Sequence, residues 1–547
     1  MNRLIFALFF LLFAAPSWAV GALLAYEVLG MALGSVEFFA TAFVINFAVS
    51  TIVTRIFAPK AAKPRDNGVR QQIPPATINS IPIVYGDAYL GGVFVDAALS
   101  QNQQVMYYVL TLSSISANGQ FSYDQTKFYY GDRLITFDST DKTKVISLTD
   151  GNGNVDTKIN GNLFINLYTS TSAGVISSTN GASAPNVVMA YNSGDKKTVP
   201  SGLAWPSSGR QMNGLAFAIV KLIYSTDDGT TNLQPITFYC SHYLNGQGVA
   251  KPGDVWKDYL GNSVYGGAVD ASFIDTASAT ALNTYSDQLI TYTPYGGGSA
   301  TQSRYRINGV LDTGSTIIEN INKILEACDS WMAYDAAKGQ YSVVINKAES
   351  SSFSFDDSNI VGDIRVSATD INQSINQIEA SFPNKLNKDI PAYVFIKTPE
   401  ILLYPNEPVN KTSVQYELVN NNVQAYYLAN RQLEQAREDL IVTIKTAYTG
   451  IQVNAGDVVS LTNSAYGWNN KLFRAMKVNE ASLSDGNLGA QIELNKYNAQ
   501  VYDDKDITGF APSANSGIPD IVYFGSLTAP TVTNQQPNAA VPTFAVD

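Results

Sequence analysis

From residue 81 onward, apolar and polar positions alternate in short runs bounded by Gly, Asn and Asp, the pattern of half-buried strands. Such runs cover residues 83–85, 91–96, 105–112, 126–130 ahead of a turn at Gly131-Asp132, 215–224 and 236–240. Between them, residues 138–209 are rich in Ser, Thr, Asn and Gly with only weak strands, as expected of a surface insertion. The period then changes. Ile317, Ile321, Ile324, Leu325 and Cys328 share one helical face, and Thr316 with Glu319 makes a capping box, so 316–329 is predicted as an amphipathic helix with 340–345 as its partner strand. Ala425, Ala429, Gln432, Leu433, Ala436 and Leu440 repeat the helical spacing, with Gln432 the only polar member, and this helix is predicted to run into a strand over 441–447. After about residue 505 the strand pattern fades into Pro, Ala, Asn and Thr. Composition alone reads as disorder there, and the expectation for 506–547 is an arm pinned on a neighbouring subunit.

The N-terminus has its own pattern. Arg3, the apolar run 4–13 and the stretch Ser17-Trp18-Ala19 have the three parts of a secretory signal. The apolar character continues beyond Ala19, however: no charge occurs over 4–26 or over 38–54. A cleaved leader accounts for only the first half, so Met1 is expected to be retained. Each stretch is long enough to cross a hydrocarbon layer, which takes about 17 to 25 residues per helix. Arg3 at one end and Arg55, Lys60 and Lys63 at the other flank a middle carrying Glu27 and Glu37, so a helical hairpin would put both basic ends on one side. The candidate lumen or membrane-inserting residues are Leu4, Phe6, Phe9, Phe10, Leu12, Phe13, Gly30, Gly34, Phe38, Phe39, Phe43 and Ile45, with Gly30 and Gly34 at a spacing that permits close helix contact. Core helices of an oligomer and membrane-inserting helices are equally compatible with this pattern. A polar stretch with Pro59, Pro64, Pro74 and Pro75 then reads as a linker.

Composition narrows the function. At 547 residues the chain suits about two to four domains. Charged residues are 15%, while Tyr numbers 31, a mixture suited to β-rich proteins with large protein contacts. The net charge of −11 argues against stable nucleic-acid binding, which is driven by Lys and Arg releasing phosphate counterions. Cys240 and Cys328 both lie in apolar runs and read as buried thiols rather than a bridge or a zinc site, in keeping with cytoplasmic synthesis. His242 is the sole histidine, which leaves little room for His-dependent triads or multi-His metal sites.

Candidate chemistry is sparse. No GxSxG elbow, GxxxxGK loop, HExxH or CxxC occurs. Asp150, Asn152, Asn154 and Asp156 alternate like a calcium loop, but Val155 occupies the position that needs glycine, and a solvated turn is the expectation. Gly296-Gly297-Gly298 reads as a hinge. The adjacent pairs Asp356-Asp357 and Asp503-Asp504 read as solvated turns, since glycosidases draw their two carboxylates from distant elements. No catalytic residue, metal or cofactor is expected.

Five stretches, in order, resemble the tail tip attachment, or central tail hub, proteins of lambda-type siphophages. They are 81–95, with Tyr85-Gly86; 214–224 followed by 235–238; 252–273, with Asp258-Tyr259-Leu260 and Tyr265-Gly266; 305–312, with Arg306, Gly309 and Asp312, together with the helix through Cys328; and 429–440 followed by Gly456-Asp457 and Gly467-Trp468. Val264 stands where that family usually has Arg. The resemblance implies a mainly β, multidomain hub of β-barrel-like domains with α+β parts, including one small α/β domain and a hydrophobic helical N-terminal segment. The expected boundaries are 1–58 hydrophobic segment, 59–80 linker, 81–137 with 210–250 first hub domain, 138–209 inserted β domain, 251–350 α/β domain, 351–505 last hub domain and 506–547 arm. It further implies a non-enzymatic homotrimer at the distal end of the virion tail, meeting a distal tail protein ring, a tape measure protein, a fibre or receptor-binding tip protein and, during infection, the host membrane. Larger family members continue into fibronectin-like and receptor-binding modules, so receptor recognition is expected of a separate protein. A membrane-anchored or secreted bacterial surface protein is the alternative, and a cell-wall hydrolase a third reading.

Overall fold

A computed structural model describes residues 79–507, except 100–103, 183–211, 295–296, 336–337, 369–370, 372–373, 439, 483–487 and 505–506, together with two short strands, Val532–Asn534 and Phe544–Val546. The segment 1–58 with its candidate residues Leu4 to Ile45, almost all of the linker and most of the arm lie outside the described residues.

Strand β1 (Ile83–Leu90) shows why the first body forms. Successive side chains of a strand point to opposite faces. Val84, Ala88 and Leu90 therefore enter one core, while Ile83 and Tyr85 enter another. β2 (Val93–Leu99) follows through Gly91-Gly92, and β3 (Val105–Ser114) and β4 (Gly119–Tyr123) after it. The predicted strand at 126–130 is instead a 3-10 turn, Gln125–Lys127, and a two-residue strand β5 (Tyr129–Tyr130), because Asp124 accepts from the Thr126 N–H and curls the backbone. β6 (Arg133–Phe137), β7 (Val145–Thr149), β8 (Val155–Asp156), β9 (Leu163–Ser170), β10 (Ile176–Ser178), β11 (Leu215–Ile223) and β12 (Ile236–Leu244) complete the set.

These strands make two sheets. One has the order β15-β1-β12-β5-β6-β7-β8, with β4 also on β12; β15 (Gly309–Leu311) comes from much later in the chain. The other has the order β10-β9-β11-β3-β2. Reading 138–209 as a separate insertion is corrected here. β9 is hydrogen-bonded between β10 and β11, and its Leu163, Ile165 and Leu167 are buried in the shared core with Leu110, Val220 and Phe238. The polar composition that suggested an insertion belongs to the turns around Asp138, Asp141 and Asp150, whose carboxylates accept backbone N–H groups.

A second core holds helices α1 (Pro252–Gly261), α2 (Thr276–Asp287) and α3 (Ile317–Glu326), the hairpins β13 (Leu289–Tyr292)–β14 (Ala300–Ser303) and β16 (Ser330–Asp335)–β17 (Gln340–Ile345), and a three-stranded sheet. α3 starts as predicted, with both halves of the Thr316–Glu319 capping box formed. α1 and α2 were not legible from periodicity. α1 begins with Pro252 in its first turn, and Asp275 caps α2 by accepting from Ala277 and Ser278 N–H. The sheet has the order β21-β20-β22, from β20 (Gln377–Asn384), β21 (Ile390–Lys397) and β22 (Lys411–Gln415), and packs on α4 (Asn422–Ala436).

The last core fills the six-stranded sheet β18-β24-β25-β26-β23-β19, made from β18 (Phe353–Phe355), β19 (Arg365–Ala368), β23 (Leu440–Thr446), β24 (Val458–Asn463), β25 (Trp468–Ser482) and β26 (Leu488–Lys496). The expected last domain, 351–505, is thus split. β20 to α4 bury Ile378, Val394, Leu428 and Leu433 in the second core rather than in this one. α4 is buried nearly all round between its sheet and the hairpins, and Leu440 opens β23 instead of closing the helix.

Candidate functional site

The motif positions converge where β1, β15 and α1 meet. Tyr85 pairs with Gly309 across the β1–β15 ladder. Gly86 has φ +68°, and a side-chain carbon there would lie 2.1 Å from the Ile307 carbonyl oxygen. Only glycine fits that approach. The Tyr85 hydroxyl donates to Asp258 Oδ2 at 2.6 Å and Tyr265 donates to the same oxygen at 2.7 Å, while Ser116 donates to Asp258 Oδ1 at 2.5 Å. Burial, then the Asp258 charge, pushes the Tyr85 phenol far above its usual range, so it stays a donor. Tyr259, one residue along α1, accepts from Asn320 Nδ2 at 2.8 Å; that amide also donates to the Asp312 carbonyl at 2.8 Å. The Asp312 carboxylate accepts from Ser80 and from the Gly314 N–H. A side-chain carbon at Gly266 would lie 1.9 Å from the Tyr259 carbonyl oxygen, which explains the glycine after Tyr265. Arg306 pairs with Asp287 at 2.7 Å and hydrogen-bonds the Tyr305 carbonyl.

Gly456, Asp457, Gly467 and Trp468 lie elsewhere, in the last sheet. Gly456, at φ +105°, passes close to Val344 of β17 and joins the last two cores. Asp457 accepts from the Asn454 N–H, Gly467 takes a left-handed turn in open space, and Trp468 stacks on Tyr466. Val264 is exposed.

Ser116, His242 and Asp258 come together, yet not in the order nucleophilic catalysis needs. His242 Nδ1 lies 2.7 Å from the Val84 carbonyl oxygen and must carry the proton. Nε2 is left as an acceptor, 3.4 Å from the Ser116 N–H, while the Ser116 hydroxyl donates to Asp258. The imidazole does not face the hydroxyl, and the Asp258 carboxylate that does is held by two further phenol donors, so these residues form a structural network rather than a triad. Burial lowers the His242 pKa and keeps the ring neutral. Among the described residues no three His, Cys, Asp or Glu side chains converge as metal ligands, and no helix is long and apolar enough to cross a membrane. The Asp150 carboxylate is engaged by Asn152 and Asn154 within its turn. Cys240 and Cys328 are free and buried.

Sequence reasoning missed a second network at the seam between the last two cores. Arg431 of α4 is buried; it donates to the Tyr305 and Tyr285 hydroxyls and to the Asn346 and Tyr502 carbonyls, and it pairs with Asp329 at 3.5 Å. Arg304 makes a two-pronged contact with Asp504 at 2.6 and 2.7 Å. Arg474 lies among the rings of Trp331, Tyr497 and Tyr502. Asp504 is therefore not a solvated turn, whereas Asp356 is, accepting from Ser358 and the Ser358 N–H. The available signal was an arginine inside a helix otherwise lined by Ala, Leu and Tyr, which helical periodicity alone discounts.

No family model matches the chain. The baseplate hub protein pb3 of Escherichia phage T5 is 24% identical over 223 residues, 40% of this chain and 22% of that protein, so the match spans about a fifth of that relative's length. A chain from the virion of a native gene transfer agent particle shares the fold at TM-score 0.55 and 11% identity, covering 90% of this chain and 99% of its own length. A tail protein from Neisseria meningitidis MC58 overlaps at TM-score 0.29 and 12% identity, over 52% of this chain and 79% of its own, too slight a likeness to carry weight. The resemblance drawn from the five stretches holds at this level: the chain is phage-tail-hub-like and mainly β.

Proposed function

We propose that the chain is the hub of a phage tail tip: a homotrimer that adapts a six-fold tube to a three-fold tip, closes the lumen and opens for DNA. Its place is the distal end of the virion tail. Its partners there are a distal tail protein ring, the end of the tape measure protein and a separate fibre or tip protein. The observation carrying this reading is the coincidence of a hub-protein sequence match with a fold shared, over 90% of the chain, with a virion component. Two features support it. Three of the four cores among the described residues, tied by the Asp258 and Arg431 networks, make a stiff body suited to bearing load. A net charge of −11 favours passage of DNA without adhesion.

In a trimer the apolar segment 1–58 is covered on the axis before infection and enters the host membrane during it. Image reconstruction of purified particles tests the assembly: three-fold density at the tip that accepts this fold is the expected result. A chain that leaves the particles as a stable monomer, or that fractionates with host envelopes in the absence of particles, overturns the reading.

A further inference from the structure

Sheet β21-β20-β22 buries one face on α4 through Ile378, Ala380, Val394 and Ile396. Among the described residues no element covers the other. Along β21 the outward positions are aromatic, Tyr393 and Phe395, and the crossover to β22 adds Ile401 (91% exposed) and Val409 (72%), with Leu386 (79%) at the hairpin tip. Eight of the 21 exposed large hydrophobic side chains among the described residues fall within residues 386–409. Scattered exposed hydrophobics are ordinary, but a concentration of this kind marks a contact surface. β21 is also an edge strand.

We propose that this face is where a second copy of this chain docks, an inference that rests on the hub reading above. Taken together along β21, at its hairpin tip and in the crossover, these eight side chains expose on the order of 1,000 Å2, the scale of the roughly 800 Å2 per partner in a standard stable interface. Of the charges bordering the face, Lys411 pairs with Glu379 and Arg437 with Glu407, while the exposed Lys397 and Glu400 stand three positions apart with opposite sign. Burial there strands few charges, and nothing on the face favours a polyanion or an acidic membrane. The surface is also held in shape. Arg437 ties the crossover through the Leu402 carbonyl and Glu407, Asn376 donates to Glu407 and to the Pro408 carbonyl, and Lys385 with Asp389 fixes the hairpin tip to Asp87 and Tyr89 of β1. A rigid, apolar, charge-balanced face has the character of a permanent interface, which only another copy meets from the moment of synthesis.

The test uses the full chain, with Phe395→Glu combined with Ile401→Glu, and Tyr448→Glu as an exposed control in the 3-10 turn that follows β23. The wild type and the control should sediment as trimers, while the double variant should be monomeric with unchanged circular dichroism and self-association on the order of 100-fold weaker. A double variant that remains trimeric overturns this inference and leaves the hub reading intact, as does one that remains trimeric but loses another tail protein. A wild type monomeric at every concentration overturns both. Should the double variant misfold, Ile401→Cys carrying a spin label decides the matter, since Cys240 and Cys328 are buried and escape labelling. Immobilisation of the label in assembled particles supports the interface, and a freely tumbling label removes it.

Discussion

Gly86 and Asn308 face each other so closely that a side-chain carbon on Gly86 would lie 2.4 Å from Asn308 Oδ1, an oxygen already accepting the Asp87 N–H. Gly86→Ala must therefore force β1 from β15 as well as strain a left-handed residue. The expected loss is roughly 2 to 4 kcal/mol. Gly131→Ala is the comparison: its φ is +59° but nothing lies within 4 Å, so about 1 kcal/mol is expected. Denaturation midpoints of the two variants should differ in that order, and equal midpoints would remove the steric account.

Asp258 receives three hydroxyl donors, from Tyr85, Tyr265 and Ser116. Asp258→Ala strands all three and should cost roughly 2 to 4 kcal/mol, whereas Tyr265→Phe, which removes one donor, should cost about 1. Thermal melting of both variants checks the ranking. A Tyr265→Phe protein as unstable as Asp258→Ala would show that packing, not the network, holds the junction.

His242 is buried neutral with its pKa below the ordinary 6.5, so in that range the unfolded chain binds a proton that the folded chain refuses. Stability from this residue is full above pH 6.5 and falls as the pH drops below it, levelling off once the folded ring also protonates. His242→Gln should flatten melting temperature against pH in this window. Burial alone would raise the Asp87 and Asp504 carboxyls, but Lys385 holds Asp87 and Arg304 holds Asp504 below the ordinary 3.8, and their contributions are lost only as the pH falls below that value. An unchanged slope in His242→Gln would assign the pH dependence elsewhere.

The stretch after β26 returns across the seam. Tyr502 donates to Asn346, Asp504 grips Arg304, and the Ile507 carbonyl accepts the Thr293 N–H. Asp504→Asn should loosen this strap, with protease cutting after residue 497 several-fold faster and a stability loss of about 1 to 2 kcal/mol, modest because the carboxylate is partly exposed. Digestion followed by mass spectrometry locates the cut. Unchanged digestion would show that Ile507 and Tyr502 suffice.

Deleting residues 1–58 should leave the β cores folded, since the described strands begin only at Ile83. Each large apolar side chain in that segment forfeits roughly 1.5 to 3 kcal/mol when left wet, so it needs a cover. Truncated particles should still adsorb to cells but fail to deliver DNA. Delivery at normal efficiency would reduce the segment to packing alone.

Local signals were legible in the chain itself. The two-residue period of β1, β3, β11 and β12 and the capping box of α3 depend on neighbours a few positions away, and each forms where its pattern lies. The motifs were legible too, but not their purpose. Tyr85 and Asp258 are separated by 173 positions, and their hydrogen bond exists only because β15 pairs with β1 and carries the second core against it. Pairing between distant strands likewise decided that β9 belongs to the first body despite its polar flanks, and that residues 377–436 leave the last sheet for the second core. Arg431 shows the limit most clearly. Its charge reads as surface from composition, and only the tyrosine hydroxyls, carbonyls and Asp329 assembled from three other parts of the chain make its burial affordable in free energy.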